Sequence, residues 1–208
     1  MSVSIEKSKK RKTASKKPPA IPAYLIYEEI HGVPIYYRGY KEVIENQKKA
    51  EDIMGSSALQ FVILEHLFRL FVKFFDEKRF YIGNNEAGTH LAKGVNLAVD
   101  LALFDKQVLK PEMIKNKYVE VPPLLVVEVD TKASFDHNAE PDYINLKTQL
   151  LLDFGVKKVI WIFTESKKIL IAEPKPAWLT VDWDQDIELM EGHFFNIAAY
   201  LSSEGIEV

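Results

Sequence analysis

Two runs of β-forming residues, Leu124-Leu125-Val126-Val127-Glu128-Val129-Asp130 and Lys157-Lys158-Val159-Ile160-Trp161-Ile162-Phe163, bracket a segment punctuated as a helix at both ends. That segment, residues 141 to 155, carries Pro141 in its first turn and closes on Gly155, a residue suited to a C-cap. Near-continuous apolar runs belong to strands covered on both faces. The order strand, helix, strand therefore predicts a parallel pair joined by a right-handed crossover. No other part of the chain restricts the fold as strongly.

Placed on a wheel at about 100° per residue, Tyr143, Ile144, Leu146, Leu150, Leu151 and Phe154 fall in one arc, with Asn145, Thr148, Gln149 and Asp153 opposite. Lys147 sits in the middle of the apolar arc. An unpaired buried ammonium costs several kcal/mol, roughly, so this lysine must reach water, meet an anion or lose its proton. The strand just upstream offers the anion: with a period of two, Glu128 and Asp130 share the face of Leu124 and Val126. A further buried strand over Val95–Phe104 places Asp100 in file with Asn96, Ala98 and Ala102, and small alanines leave room for a cation beside a carboxylate.

Elsewhere the signals are those of scaffold. Residues 24 to 37 read as a hairpin in which Pro34 keeps its strand near an edge. Polar helix formers fill residues 40 to 52. From Ser57 to Phe75, Leu59, Val62, Ile63, Leu67, Leu70, Phe71 and Phe74 recur at helical spacing behind a Ser57 cap. Arg79–Gly83 reads as a strand and Asn84–Gly88 as the turn after it. Residues 105 to 121 read as a connection. Beyond the crossover, Ile169–Ala172 and Trp178–Val181 are expected as antiparallel strands, and Phe194–Leu201 as a short amphipathic helix.

A chain of 208 residues is ample for one hydrophobic core and thin for two. Residues 1–21 form a basic, Ser- and Pro-containing arm expected to be flexible, and residues 22–208 the domain. Residues 1 to 17 hold seven Lys or Arg against one Glu, a local +6 on a chain of formal charge −3, so the body is acidic. The arm from Lys7 to Lys17 is a candidate phosphate contact; a solubilising tail is the other reading. The absence of cysteine removes disulfides and thiolate metal sites, and suits a reducing, cytoplasmic setting. No stretch has the length and apolarity of a membrane helix, and the N-terminal charges have no apolar h-region behind them, so a protein that is not secreted is expected. The five histidines are scattered, and neither a glycine-rich phosphate loop nor a Gly-x-Ser-x-Gly elbow is present.

Three embedded charges remain: Asp100, Glu128 and Lys147. Two carboxylates and a lysine suit a divalent cation that polarises a phosphodiester, with the ammonium steadying the nucleophile or the developing charge. A buried salt-bridge network would use the same residues.

Val99-Asp100-Leu101-Ala102-Leu103-Phe104, then Pro123-Leu124-Leu125-Val126-Val127-Glu128-Val129, then Lys147 and residues 154 to 162 together resemble the PD-(D/E)xK nuclease core. More narrowly they are similar to its bacterial Uma-two-type branch of restriction-endonuclease-like proteins, whose opening Tyr-Glu-Leu-Ile-Asp-Gly is echoed by Tyr27–Gly32. The resemblance implies an α/β restriction-endonuclease-like fold, a mixed central sheet flanked by helices with extra antiparallel strands. It implies a Mg²⁺- or Mn²⁺-dependent endonuclease acting on nucleic acid, DNA first, with Asp100, Glu128 and Lys147 catalytic. Asp100, Glu128 and the Val129 carbonyl would hold the metal, and a homodimer would cut both strands. A module that has lost cleavage and binds DNA or protein is the alternative. The chain departs from the pattern in places. Val99 replaces the signature proline, Asp130 stands where the wider superfamily has its lysine, and Phe163-Thr164 replaces Asp-Pro. Asp130 could add a metal ligand or repel substrate, and Lys132 could offer a second lysine.

Overall fold

The structure, a computed structural model, describes residues 21–130, 133, 140–175 and 177–208, with Glu140, Pro141 and Asp142 described by backbone alone. The basic arm lies outside these residues except for its last position, as does Lys132. A hairpin of β1 (Ile26–Ile30) and β2 (Val33–Tyr36) leads into two short helices, α1 (Tyr40–Ile44) and α2 (Glu51–Met54), and the long α3 (Ala58–Phe74). There follow β3 (Phe80–Ala92), β4 (Val95–Asp105), β5 (Leu125–Val129), α4 (Glu140–Phe154), β6 (Lys158–Phe163), β7 (Lys168–Ala172), β8 (Leu179–Asp182), β9 (Ile187–Met190), β10 (His193–Phe195) and α5 (Ile197–Ser203). The main sheet has the order β2-β1-β4-β5-β6-β7-β8 with β3 also on β4, and β9 and β10 form a small separate ladder.

The expected crossover is present: β5 and β6 pair in parallel, Leu125 against Lys158 through Val129 against Ile162, with α4 between them in sequence. Antiparallel pairs on either side make the sheet mixed. Alternation sorts its side chains onto two faces. Leu101, Leu103, Leu125, Val127, Val129, Ile160 and Ile162 pack with Ile63, Leu67 and Phe71 of α3. Val126, Val159 and Trp161 pack with Tyr143, Ile144, Leu151 and Leu152 of α4. The Ser57 hydroxyl caps α3 by accepting from the Gln60 N–H at 3.1 Å, a contact of the kind whose removal costs about 1 kcal/mol. Pro34 lies on β2, at the end of the sheet, where its missing N–H leaves no ladder bond unmade.

Four expectations are corrected. The chain does not turn at Asn84–Gly88: β3 runs on through it, and Asn85 and Glu86, with φ of 60° and 56°, form an irregularity where the register against β4 shifts. On α4 the inward stripe is Tyr143, Ile144, Lys147, Thr148, Leu151 and Leu152, while Leu146 is exposed. Thr148 earns its buried place by accepting from Trp161 Nε1 at 2.9 Å. Asp130 does not continue β5: its φ of 56° takes it out of the strand, so it no longer shares a face with Glu128. Phe194 and Phe195 are on β10, paired with β9, and the terminal helix starts only at Ile197, with Asn196 as its cap. The sequence reading had no strand corresponding to β9.

β4 positions everything that follows. β3 pairs along one of its edges. Two strands share the other: β1 at Val95 and Asn96, and β5 from Leu101 to Leu103. Between these two short ladders, residues 97 to 100 of β4 face no strand on that edge. The face alternation also slips here. Val95, Leu97 and Val99 pack in the same cluster as Ala102 and Phe104, so the inward side changes from odd to even positions across Asp100.

Candidate functional site

Backbone groups left without a ladder must find other partners, and side chains supply them. The Ala98 N–H donates to Glu28 Oε1 at 3.2 Å. The Ala98 carbonyl accepts from Lys147 Nζ at 2.8 Å. One step past the last β4–β5 rung, Asp100 Oδ2 accepts from the Val129 N–H at 2.8 Å. The gap in the sheet is thus stitched by two carboxylates and an ammonium.

Lys147 Nζ is the centre of the cluster. It donates to Glu28 Oε1 at 2.9 Å and lies 3.1 Å from Glu128 Oε1. The second oxygen of Glu28 accepts from Tyr143 Oη at 2.6 Å. The rings of Tyr27, Tyr143 and Trp161 surround the ammonium, their centroids 5.7 to 6.0 Å away, in the range of cation–π attraction. Lys147 is 0% exposed, Glu128 2% and Glu28 5%, so this is a charge cluster withdrawn from water.

Its electrostatics follow from that count of charges. Burial alone would pull Lys147 down, but Glu128 and Glu28 overcome it and hold the ammonium well above the ordinary lysine range. Glu128 is pushed up to about 8, first by burial and then by Asp100 and Glu28, against the pull of Lys147. At that value Glu128 keeps a proton near neutral pH. Lys147 Nζ stands 3.1 Å from Glu128 Oε1, and beyond that contact this buried oxygen has no hydrogen-bond partner among the described residues. Burial likewise pushes the Tyr27 and Tyr143 phenols upward, so both stay neutral, and the Tyr143 hydroxyl remains the donor to Glu28.

Of the three residues singled out in the sequence, Glu128 and Lys147 meet directly at 3.1 Å, Lys147 reaching in from α4. Asp100, on the neighbouring strand β4, is held to the Val129 N–H and acts on Glu128 through its charge, while the acid that Lys147 grips besides Glu128 is Glu28. The Val129 carbonyl accepts from Gln60 Nε2 at 2.6 Å, a side chain crossing from α3 on the opposite face. Asp130 goes elsewhere: its two oxygens accept from the Thr164 N–H and hydroxyl, both at 2.7 Å, so it ties the end of β5 to the end of β6. Sequence reasoning missed Glu28, Tyr143 as a hydrogen-bond donor, and Gln60. Glu28 did leave a trace, since β1 alternates Ile26, Glu28, Ile30 and so sets a carboxylate among inward apolar residues.

Among the described residues no three His, Asp or Glu side chains are placed to share a metal ion. The donor chemistry nonetheless suits a hard cation. Mg²⁺ needs only one or two protein carboxylates and keeps its waters, and Glu128 Oε1 is a buried acceptor with no described partner beyond the Lys147 contact. The Val129 carbonyl has a second lone pair beyond the one that Gln60 uses. Among the described residues no helix is long and apolar enough to cross a membrane.

No family model matches the sequence, and no curated protein matches it either. Among solved structures, the chain is similar to the crystal structure of a "putative nuclease belonging to DUF820" from Anabaena variabilis ATCC 29413, with a TM-score of 0.60 over 84% of this chain and 89% of that one, at 11% identity. At that identity the likeness is one of fold. The mixed sheet flanked by helices is the nuclease-like architecture that the sequence resemblance implied.

Proposed function

We propose that the chain hydrolyses nucleic-acid phosphodiester bonds, DNA first, with the help of a divalent cation held by Asp100 and Glu128. The observation that supports this is Asp100 and Glu128 on adjacent strands at the β4–β5 end, the first bound to the Val129 N–H and the second 3.1 Å from the buried Lys147 ammonium. A bound Mg²⁺ or Mn²⁺ would supply charge stabilisation at the phosphoryl group and make water a better nucleophile. The protein's own part is positional. Glu28 and Tyr143 fix Lys147, and Lys147 offers a point of positive charge to an attacking oxygen or to charge developing on the phosphate. Tyr27, Tyr143 and Trp161 keep bulk water from competing for that ammonium. The acidic body needs a cationic partner for a phosphate backbone, a role assigned to the arm from Lys7 to Lys17.

One observation favours a second reading, a nuclease-derived module that binds nucleic acid without cutting it: the ammonium already occupies the centre of the acid cluster, fully buried. Incubation of supercoiled plasmid DNA and of RNA with the full chain, in Mg²⁺, Mn²⁺ and EDTA, separates the two. Metal-dependent nicking that Asp100→Asn and Lys147→Met each abolish is the expected result. Cutting at an unchanged rate by Asp100→Asn would remove the assignment, and binding without cutting by the unaltered chain would favour the module.

A further inference from the structure

Asp100 has a second neighbourhood. With Leu101 it lines a cavity of about 390 Å³ whose other walls are Ser56, Phe61, Leu64, Glu65 and Phe68 on the α3 side and Asn84 and Asn85 of β3. That volume falls in the range of small-ligand pockets, roughly 300–1,000 Å³. Two of its features are unusual for a structural groove. Phe61 is 61% exposed on the first turns of α3, an aromatic face that the fold does not use. The Asn84 and Asn85 side chains have no hydrogen-bond partner among the described residues, and they stand at the irregularity of β3, where Asn85 and Glu86 adopt a left-handed backbone that non-glycine residues enter at a cost.

We propose that this cavity receives one unstacked nucleobase of the strand whose phosphate lies at Asp100, with Phe61 as the stacking platform and Asn84 and Asn85 reading the base edge. The inference rests on the nucleic-acid reading above and gives it a substrate class: strands with an extruded or unpaired nucleotide. Charge decides what the cavity takes. The ionisable groups on its wall are two carboxylates, Asp100, which accepts from the Val129 N–H, and Glu65, which pairs with Arg69, and its lining includes no Lys, Arg or His to hold a phosphate inside it; the phosphate stays at the rim, where a divalent cation would bridge it to Asp100. A neutral base suits the cavity, because carboxylates accept from exocyclic amino groups and an asparagine amide both donates and accepts. An exposed aromatic ring stacks any base, since every base has a π-face. A phosphate at Asp100 and a base on Phe61 would then belong to one nucleotide unit. The base has to leave its stack to get there.

The test is binding of the full chain, in Ca²⁺ so that a cation can stand between Asp100 and the phosphate and with intact strands verified on a denaturing gel, to a fluorescein-labelled single strand, to the same strand made abasic, and to the blunt duplex. The single strand should bind about tenfold tighter than the abasic strand, a difference that Phe61→Ala removes and Phe61→Trp retains. Asn84→Ala should change the ranking among homopolymers rather than overall affinity. Equal binding of base-bearing and abasic strands, tightest binding to the blunt duplex, or a preference that survives Phe61→Ala would each overturn the proposal. Because Phe61 is exposed, its replacement should leave thermal unfolding unchanged, which separates lost recognition from lost fold. Cleavage in Mg²⁺ is scored separately. Base preference without cutting would keep the pocket and defeat the hydrolytic reading, and cutting without base preference would do the reverse.

Discussion

Lys147 and Lys158 each face two glutamates, yet they do different work. Lys158 opens β6 and sits 3.4 Å from Glu173 and 3.8 Å from Glu188, with side-chain exposures of 10%, 32% and 44%. Lys147 faces Glu28 and Glu128 with exposures of 0%, 2% and 3%. Water screens the first set and gives it alternatives; the second set is closed from water and bonded within the fold, to the Ala98 backbone and the Tyr143 hydroxyl, with three aromatic rings around the ammonium. Lys158 and its two glutamates lie at the start of an interior strand where water still reaches the carboxylates, whereas a dry excess of acid around one cation stores an unmet demand for positive charge. The gap between β1 and β5 on β4 creates the difference, because unladdered backbone at Ala98 needs polar side chains inside the fold.

Removing Lys147 should therefore have the larger effect. Lys147→Met leaves Glu28 and Glu128 buried without their cation and should cost about 3–5 kcal/mol in urea unfolding. Adding Glu28→Gln to that variant should recover part of the loss, and strict additivity of the two changes would break the picture of a coupled cluster. The next effect is on pH dependence. Glu128 binds its proton more tightly folded than unfolded, so its contribution is fully present below the unfolded value of 4.5 and is lost as pH rises through about 8. Stability of the unaltered chain should fall over that window relative to Glu128→Gln, which has no proton to lose; parallel stability curves for the two proteins would contradict the assignment. The smallest effect belongs to the contrasting lysine. Lys158→Met should change stability by less than about 1 kcal/mol, and by less still in high salt. A loss at Lys158 as large as that at Lys147 would abolish the distinction.

What could be read in advance tracks how local each signal is. The crossover, the Ser57 cap and the edge position of Pro34 each rest on residues close together in sequence, and each is found where expected. Asp100, Glu128 and Lys147 stood out because each is a charge set in an apolar pattern. Glu28 was harder to see, for its meaning depends on partners 115 and 119 residues away. The inversion on α4, Leu146 outward and Thr148 inward, depends on the Trp161 indole N–H, which no periodicity contains. Asn84–Gly88 carries turn residues, yet they serve a bulge within a strand, where Asn85 and Glu86 take the left-handed backbone that asparagine accepts in a turn or a bulge alike. Phe194 and Phe195 read as helix because a three-residue strand has almost no pattern of its own and exists through pairing with β9.

Calorimetric titration with Mn²⁺ near pH 7, repeated in buffers of different ionisation enthalpy, tests most directly whether the acid cluster is a cation site. A saturable heat accompanied by release of up to about one proton, both lost in Glu128→Gln, is the predicted result. No saturable heat, or a titration unchanged by Glu128→Gln, would mean that Lys147 is the only cation this cluster was built to hold.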